Sequence, residues 1–228
     1  MMAKNSIKEA LQKIHQQIIA AAAEYERSAS EIQLLAVTKS RSVDDILAAY
    51  EAGQRCFAES YVQEALLKMN QLPQSDIEWH FIGKIQGNKT EDIAQHFDWV
   101  HTVDSVKHAL QLNQYRPLAL APLSVCIQVN IDQEATKGGI RPEALIDLAE
   151  QVLKLPRLQL RGLMSIPKPT PFLQEQQKAA KGLKILFELL NRRGFALDTL
   201  SMGMSDDYRA AIGEGATIIR IGRAIFGK

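Results

Sequence analysis

The sequence predicts an α/β fold: a (β/α)8 barrel of the TIM type, preceded by one extra helix at the amino terminus. Three observations lead there. Short apolar, β-rich segments recur eight times along the chain. A polar segment of helical character separates each from the next. The 228 residues are enough for eight such units joined by short loops. Strict alternation implies parallel strands with helices outside them, and eight units closing on themselves make a barrel. The competing arrangement is an open doubly wound sheet. With no Gly/Pro/Ser-rich linker, charge block or low-complexity tract, residues 1–228 are expected to form one domain.

The first 26 residues carry Ile7, Leu11, Ile14 and Ile18 at helical spacing and form an amphipathic helix. The strands follow at 34–39, 56–60, 79–83, 99–104, 124–130, 158–166, 199–204 and 217–221. The intervening helices cover 43–52, 61–70, 89–96, 106–115, 142–155, 172–193 and 206–213. Pro142 sits where a first-turn proline belongs. Gly194, after Arg192 and Arg193, sits where a helix-closing glycine belongs.

Composition narrows the class. Lys and Arg total 27 and Asp and Glu 26, a formal net charge of +1. With 46% hydrophobic and 23% charged residues, the chain is neither a disordered segment nor a strongly basic nucleic-acid binder. The longest apolar run of the N-terminal third, residues 18–23, is far short of the ~20 residues a membrane span needs. Cys56 and Cys126 lie in apolar, strand-like runs and are expected to be buried small hydrophobes. The N-terminus lacks the features of a signal peptide. Together these point to the cytoplasm.

In a barrel, function gathers at the carboxyl ends of the strands. Strand seven runs through Gly203-Met204-Ser205 into a helix, and strand eight ends at Gly222. Free amides at a helix start bind anions, a serine hydroxyl adds a donor, and glycine lets the backbone come close to a ligand. The plain alternative makes Ser205 an N-cap and Gly222 a tight turn. Arg220 interrupts an apolar strand on the face shared by Ile218 and Gly222. Inside a barrel its guanidinium needs an acceptor, either a structural carboxylate such as Glu59 or Asp104, or a ligand. Lys39 ends the first strand on the face of Leu35 and Val37. A lysine at a barrel mouth can condense with an aldehyde, whereas a solvated strand-end lysine does nothing of the kind. Lys84 is its rival. His15, His80, His96, His101 and His108 show no zinc-like spacing and read as surface or strand-packing residues. The run from Gly222 to Lys228 begins like a Walker A loop but lacks the Ser or Thr and the helix that complete one.

In combination these segments resemble a known family. They are Ala36-Val37-Thr38-Lys39, Tyr61-Val62-Gln63-Glu64, Trp79-His80-Phe81-Ile82-Gly83, Gln86-Gly87-Asn88-Lys89, Arg161-Gly162-Leu163-Met164, Ser201-Met202-Gly203-Met204-Ser205-Asp206-Asp207, and Arg220 through Gly227. In that order, over about residues 30 to 227, the chain is similar to the pyridoxal phosphate homeostasis proteins. These are cytoplasmic barrels similar to the N-terminal domain of alanine racemase. The resemblance implies that Lys39 holds pyridoxal 5′-phosphate as a Schiff base. It implies that Ser205 with the Gly222-Arg223 backbone cups the phosphate, that Arg220 faces the pyridine nitrogen and that Met204 walls the site. Two positions depart from the family's usual pattern. Ser60 stands where an asparagine usually lies beside the cofactor ring, and it is shorter. Arg223 stands where threonine is usual; it loses a hydroxyl and brings a cation.

The expected function is therefore cofactor binding and intracellular homeostasis without robust catalysis, carried out by a monomer with cofactor-requiring apoenzymes as recipients. A racemase-like pyridoxal phosphate enzyme of weak activity is the alternative, since a racemase draws its second base from an added domain for which the sequence up to Lys228 leaves no room. A Schiff-base aldolase using Lys39 or Lys84 is more distant.

Overall fold

Eight parallel strands close in chain order, each hydrogen-bonded to its sequence neighbour and the eighth to the first, in the computed structural model of the protein. The structure describes residues 4–72, 74, 76–134 and 137–227. The strands are β1 (Gln33–Val37), β2 (Cys56–Glu59), β3 (Glu78–Phe81), β4 (Trp99–Val103), β5 (Leu123–Gln128), β6 (Leu158–Met164), β7 (Thr199–Ser201) and β8 (Ile218–Ile221). The helices are α1 (Lys4–Glu24), α2 (Val43–Glu51), α3 (Val62–Met69), α4 (Thr90–His96), α5 (Val106–Tyr115), α6 (Leu145–Leu153), α7 (Leu173–Arg192), α8 (Tyr208–Gly213) and α9 (Arg223–Phe226). The closed ladder excludes the open sheet.

Local chemistry accounts for the element ends. Ser42 and Asp45 form a reciprocal capping box at the start of α2, and Ser105 caps α5 by accepting from His108 N–H. Pro142 opens a 3-10 turn, Pro142–Ala144, that leads into α6. Gly194 takes φ +89 immediately after α7, where a residue with a Cβ would be strained.

Two expectations change. Several strands stop short of their expected carboxyl ends: Lys39, Ser60, Gly83, Asn130, Ile166 and Met204 all lie beyond the ladder. Sequence pattern does not mark these ends, and the backbone has already turned away there to build the mouth. The second change is α9, one turn long and unforeseen. Helix α1 packs against α2, α8 and α9, and so fills the place in the outer ring that so short an eighth helix leaves open.

The main apolar core lies between the outer face of the sheet and the helices, and includes Phe57, Phe81, Phe97, Leu145 and Ile225. The barrel interior is different. It holds two small apolar clusters, one around Leu35, Ala58 and Ile218 and one of Trp99, Cys126 and Met164. The buried polar residues His80, His101, Ser201 and Arg220 complete its filling. Among the described residues no helix is long and apolar enough to cross a membrane.

Gly162 on β6 lies directly against the backbone of β7. A Cβ there would lie 1.7 Å from the Thr199 carbonyl oxygen of β7. Gly162→Ala is therefore expected to cost about 3 kcal/mol or more in urea unfolding; a loss below about 1 kcal/mol would contradict this reading of the β6–β7 contact.

Candidate functional site

Lys39 follows β1 at the carboxyl mouth, exposed in a turn. Its amine makes no hydrogen bond or ion pair with a described residue. Both of its neighbours are clamped. Thr38, fully buried, donates from Oγ1 to Glu59 Oε1 at 2.7 Å, and its carbonyl accepts from Lys68 Nζ at 2.7 Å. Ser40 N–H donates to Glu64 Oε1 at 2.6 Å and is held at φ +61, a region that side chains rarely adopt. Lys68 Nζ also reaches Glu59 Oε1 at 2.7 Å and Glu64 Oε1 at 2.6 Å, so one buried ammonium ties α3, β2 and the Lys39 turn together. Burial raises the Glu59 carboxyl above its ordinary value, against the opposing hydrogen bonds of Lys68 and Thr38. The result is a free amine on a fixed stem.

The loops after β7 and β8 supply the other half of the mouth. Gly203 adopts φ +96, and a Cβ there would lie 2.8 Å from the Ala211 Cβ. The carboxylate of Asp207 accepts from Met204 N–H at 2.6 Å and shapes the turn before α8. Burial raises the Asp207 carboxyl, while the Met204 amide and the Arg220 charge pull the other way. A Cβ on Gly222 would come within 3.2 Å of the Val37 carbonyl, so this loop lies close against the end of β1. Among the described residues, the amides of Ser205, Asp206, Arg223 and Ala224 meet no acceptor. A cleft of about 500 Å³ beside them is lined by Met204, Asp206, Asp207, Arg223, Gln176 and the 169–171 loop.

Arg220 is buried inside the barrel. Its guanidinium donates to Ser201 Oγ at 2.7 Å and to the Ser165 carbonyl at 2.8 Å. Burial lowers its pKa to about 10, with Asp207 opposing. Neither carboxylate suggested by the sequence is its partner: Glu59 belongs to Lys68 and Thr38, and Asp104 pairs with His108 at 2.8 Å. Glu59 lies on β2 next to inward-facing Ala58, so strand alternation turns it outward.

The remaining candidates divide. Met204 and Ser205 are half-buried at the mouth. Ser60 is half-buried and shares a small cleft with Tyr61 and Lys84. The Arg223 side chain turns outward into an exposed ion pair with Asp206, so its cation does not add to the anion-facing charge that its place in the motif suggests. Its backbone amide remains available. Lys84 is exposed, and its neighbours are the residues of the Ser60 cleft.

Sequence reasoning missed Lys68, Glu64, Ser201 and the interior histidines. His15 and His96 are exposed and His108 is half-buried, but His80 and His101 are fully buried and hydrogen-bonded to one another at 2.9 Å. His80 also brings its Nε2 together with the Glu78 carboxylate and the Cys56 sulfur, at the opposite mouth. Cys126 is buried as expected, whereas Cys56 is only half-buried; burial pushes both thiols up to about 12. Strand parity was the available signal: Glu78, His80 and Ile82 share one face of β3.

Comparison with known proteins follows the same lines. The family model described as the alanine racemase N-terminal domain matches residues 11–228. A Pseudomonas aeruginosa protein named pyridoxal phosphate homeostasis protein is 50% identical over 223 residues, covering 98% of this chain and 96% of its own. A Vibrio cholerae protein of the same name is 49% identical, with 98% and 96% coverage. The structure of Synechococcus elongatus PipY with PLP bound superposes with a TM-score of 0.85 at 34% identity, over 97% of this chain and all of that one. Clostridium difficile alanine racemase shares the fold alone, at 15% identity and a TM-score of 0.71, over 94% of this chain and 56% of that one.

Two outcomes are expected. Lys68→Met leaves the Glu59 carboxylate buried without its cation, and should cost about 3–5 kcal/mol in urea unfolding. A near-neutral substitution would show that the clamp carries no load. Burial lowers the pKa of both His80 and His101, His101 well below the ordinary imidazole value. The unfolded chain therefore takes up protons as pH falls below about 6.5, ahead of the native state. Stability present above that pH is lost on acidification, by up to about 1.4 kcal/mol per pH unit for each histidine. Unfolding measured from pH 7.5 to 5.5 should show this decline, and a shallower one in His101→Gln; equal slopes would contradict it.

Proposed function

The chain belongs to the pyridoxal phosphate homeostasis proteins, a family built on the alanine racemase N-terminal domain, and on that footing we propose that it binds pyridoxal 5′-phosphate at the carboxyl mouth of its barrel. The observation that carries this reading is Lys39: an unengaged amine on a clamped turn, on the same mouth as a buried arginine and a set of free backbone amides.

The residues fit the group. Lys39 is the amine that would hold the cofactor's aldehyde. Ser205, with the backbone of Gly222 and Arg223, offers donors to a phosphate where the chain passes close. Met204 walls the adjoining cleft, Arg220 would face the ring nitrogen, and Ser60 would take the place beside the ring. The cofactor supplies an aldehyde that combines reversibly with amines and a ring that draws electrons best when its nitrogen is protonated.

Arg220 argues against strong catalysis. With a pKa of about 10 it stays cationic at neutral pH and donates hydrogen bonds without surrendering a proton. A ring nitrogen facing it would accept a hydrogen bond and stay unprotonated, which would weaken the electron sink. We therefore read the protein as a cytoplasmic, monomeric reserve for the cofactor. It keeps a reactive aldehyde out of solution and releases it to apoenzymes, with 1–228 as a single cofactor-binding barrel.

The test is a visible spectrum of the purified protein before and after borohydride, followed by peptide mass mapping. A yellow protein carrying a reduced pyridoxyl group on Lys39 is expected, with none in Lys39→Ala and full labelling in Lys84→Ala. A protein that stays colourless after incubation with the cofactor would overturn the reading. Deuterium exchange at Cα of L-alanine should be negligible beside that of a racemase; rapid exchange would overturn the non-catalytic part.

A further inference from the structure

Arg220 has a second side, away from the mouth. From its NH1 a column of hydrogen bonds runs through the barrel interior: to Ser201 Oγ at 2.7 Å, from Ser201 Oγ to His101 Nδ1 at 2.7 Å, from His101 Nε2 to His80 Nδ1 at 2.9 Å, and from His80 Nε2 to Glu78 Oε1 at 2.7 Å. His80, His101 and Ser201 are fully buried, whereas the Glu78 side chain is 40% exposed at the amino-terminal mouth. The column thus joins the two ends of the barrel.

Its polarity is dictated from both ends. Glu78, whose carboxyl is held down at about 2 chiefly by the His80 hydrogen bond, can only accept, so His80 Nε2 carries a proton. Burial keeps both imidazoles neutral, so His80 Nδ1 is bare and takes the proton of His101 Nε2. His101 Nδ1 is then bare and takes the Ser201 hydroxyl proton. A guanidinium can only donate, so Ser201 Oγ accepts from Arg220. All four hydrogen bonds point from Arg220 towards Glu78, and neither end requires the other to give way.

The rings are also fixed in place. His80 stacks on Trp99 with centroids 5.5 Å apart and planes 9° from parallel, and His101 leans on the same indole at 5.8 Å. The groups facing the column are few. Glu78 is met by Gln33 and Cys56, with Asp98 nearby, and Arg220 feels Asp207 and Cys126. Hydrogen-bonded groups of one polarity reinforce one another in a low-dielectric interior.

We propose that Glu78 is a positioning residue for Arg220: through His80, His101 and Ser201 it fixes the direction and polarisation of the guanidinium, and makes the amino-terminal mouth an electrostatic input to the site at the opposite end. The inference rests on the cofactor reading only for what Arg220 faces. The column itself belongs to the protein without cofactor and is measurable there.

The experiment is long-range 1H–15N NMR of the cofactor-free, 15N-labelled protein near pH 7.5. Wild type should show both interior imidazoles neutral with the proton on Nε2, a reading that needs no variant. Glu78→Gln keeps an acceptor and removes the charge; it should retain both tautomers and shift the Arg220 Nη signals. Ser201→Ala should abolish that response to Glu78→Gln. Glu31→Gln, which removes an exposed carboxylate at the same mouth outside the column, should leave the Arg220 signals in place. A proton on Nδ1 of either ring, or Arg220 signals unmoved by Glu78→Gln, would overturn the proposal. In the loaded protein the same substitution should also shift the pH midpoint of the bound cofactor's visible band; an unmoved midpoint would overturn the link to the site. A protein that takes up no cofactor sinks the cofactor reading alone, because the tautomers are measured without it.

Discussion

A charged guanidinium sits inside the barrel, and no carboxylate among the described residues touches it. Arg220 is 4% exposed and, among the described residues, donates to a serine hydroxyl and a backbone carbonyl. Taking an ion out of water costs several kcal/mol even after relaxation, so the interior has to supply oriented dipoles. It does so along its length. The polar residues from Glu78 to Arg220 take part of the space that a simpler barrel would fill with apolar layers, and the apolar filling is reduced to two small clusters. The main hydrophobic driving force comes from the layer between sheet and helices instead.

A second buried cation has a different task. Lys68 has two carboxylates in direct contact, and it acts on the Lys39 turn. The mouth therefore combines two kinds of electrostatic support. The ion-paired lysine immobilises the backbone on either side of Lys39, and the dipole-supported arginine stays cationic at neutral pH. Between them lie the amides before α8 and α9. A dianion with an aldehyde at one edge and a basic ring nitrogen would find a complement there at each of its chemical features. On the proposed reading, a donor that keeps its proton at the nitrogen would restrain the chemistry of the cofactor that the same arrangement binds.

The fold was legible because alternation is a long-range signal: eight apolar segments and their helical separators survive errors of a few residues at each end. Strand ends were not, since periodicity does not mark where the backbone leaves the ladder before residues 39, 60, 83 and 204. At the mouth, the positions of Lys39, Ser205, Arg220 and Gly222 could be picked out from residue type against strand parity. Their partners could not. Lys68 reads as an ordinary helix-face lysine, and nothing in its spacing announces a contact with the Thr38 carbonyl. Arg223 looked like an added positive charge until its ion pair with Asp206 turned it outward. His80 and His101 are 21 residues apart, on adjacent strands, and become neighbours only when the barrel closes.

The state of the ring nitrogen that Arg220 would face is the most direct point of test. The decisive measurement is the 15N NMR signal of pyridoxal 5′-phosphate labelled at that nitrogen and bound to the protein. The account predicts an unprotonated nitrogen accepting a hydrogen bond throughout neutral pH, with a signal that moves when Arg220 is replaced by lysine. A protonated pyridinium at neutral pH, or a signal indifferent to Arg220, would contradict it.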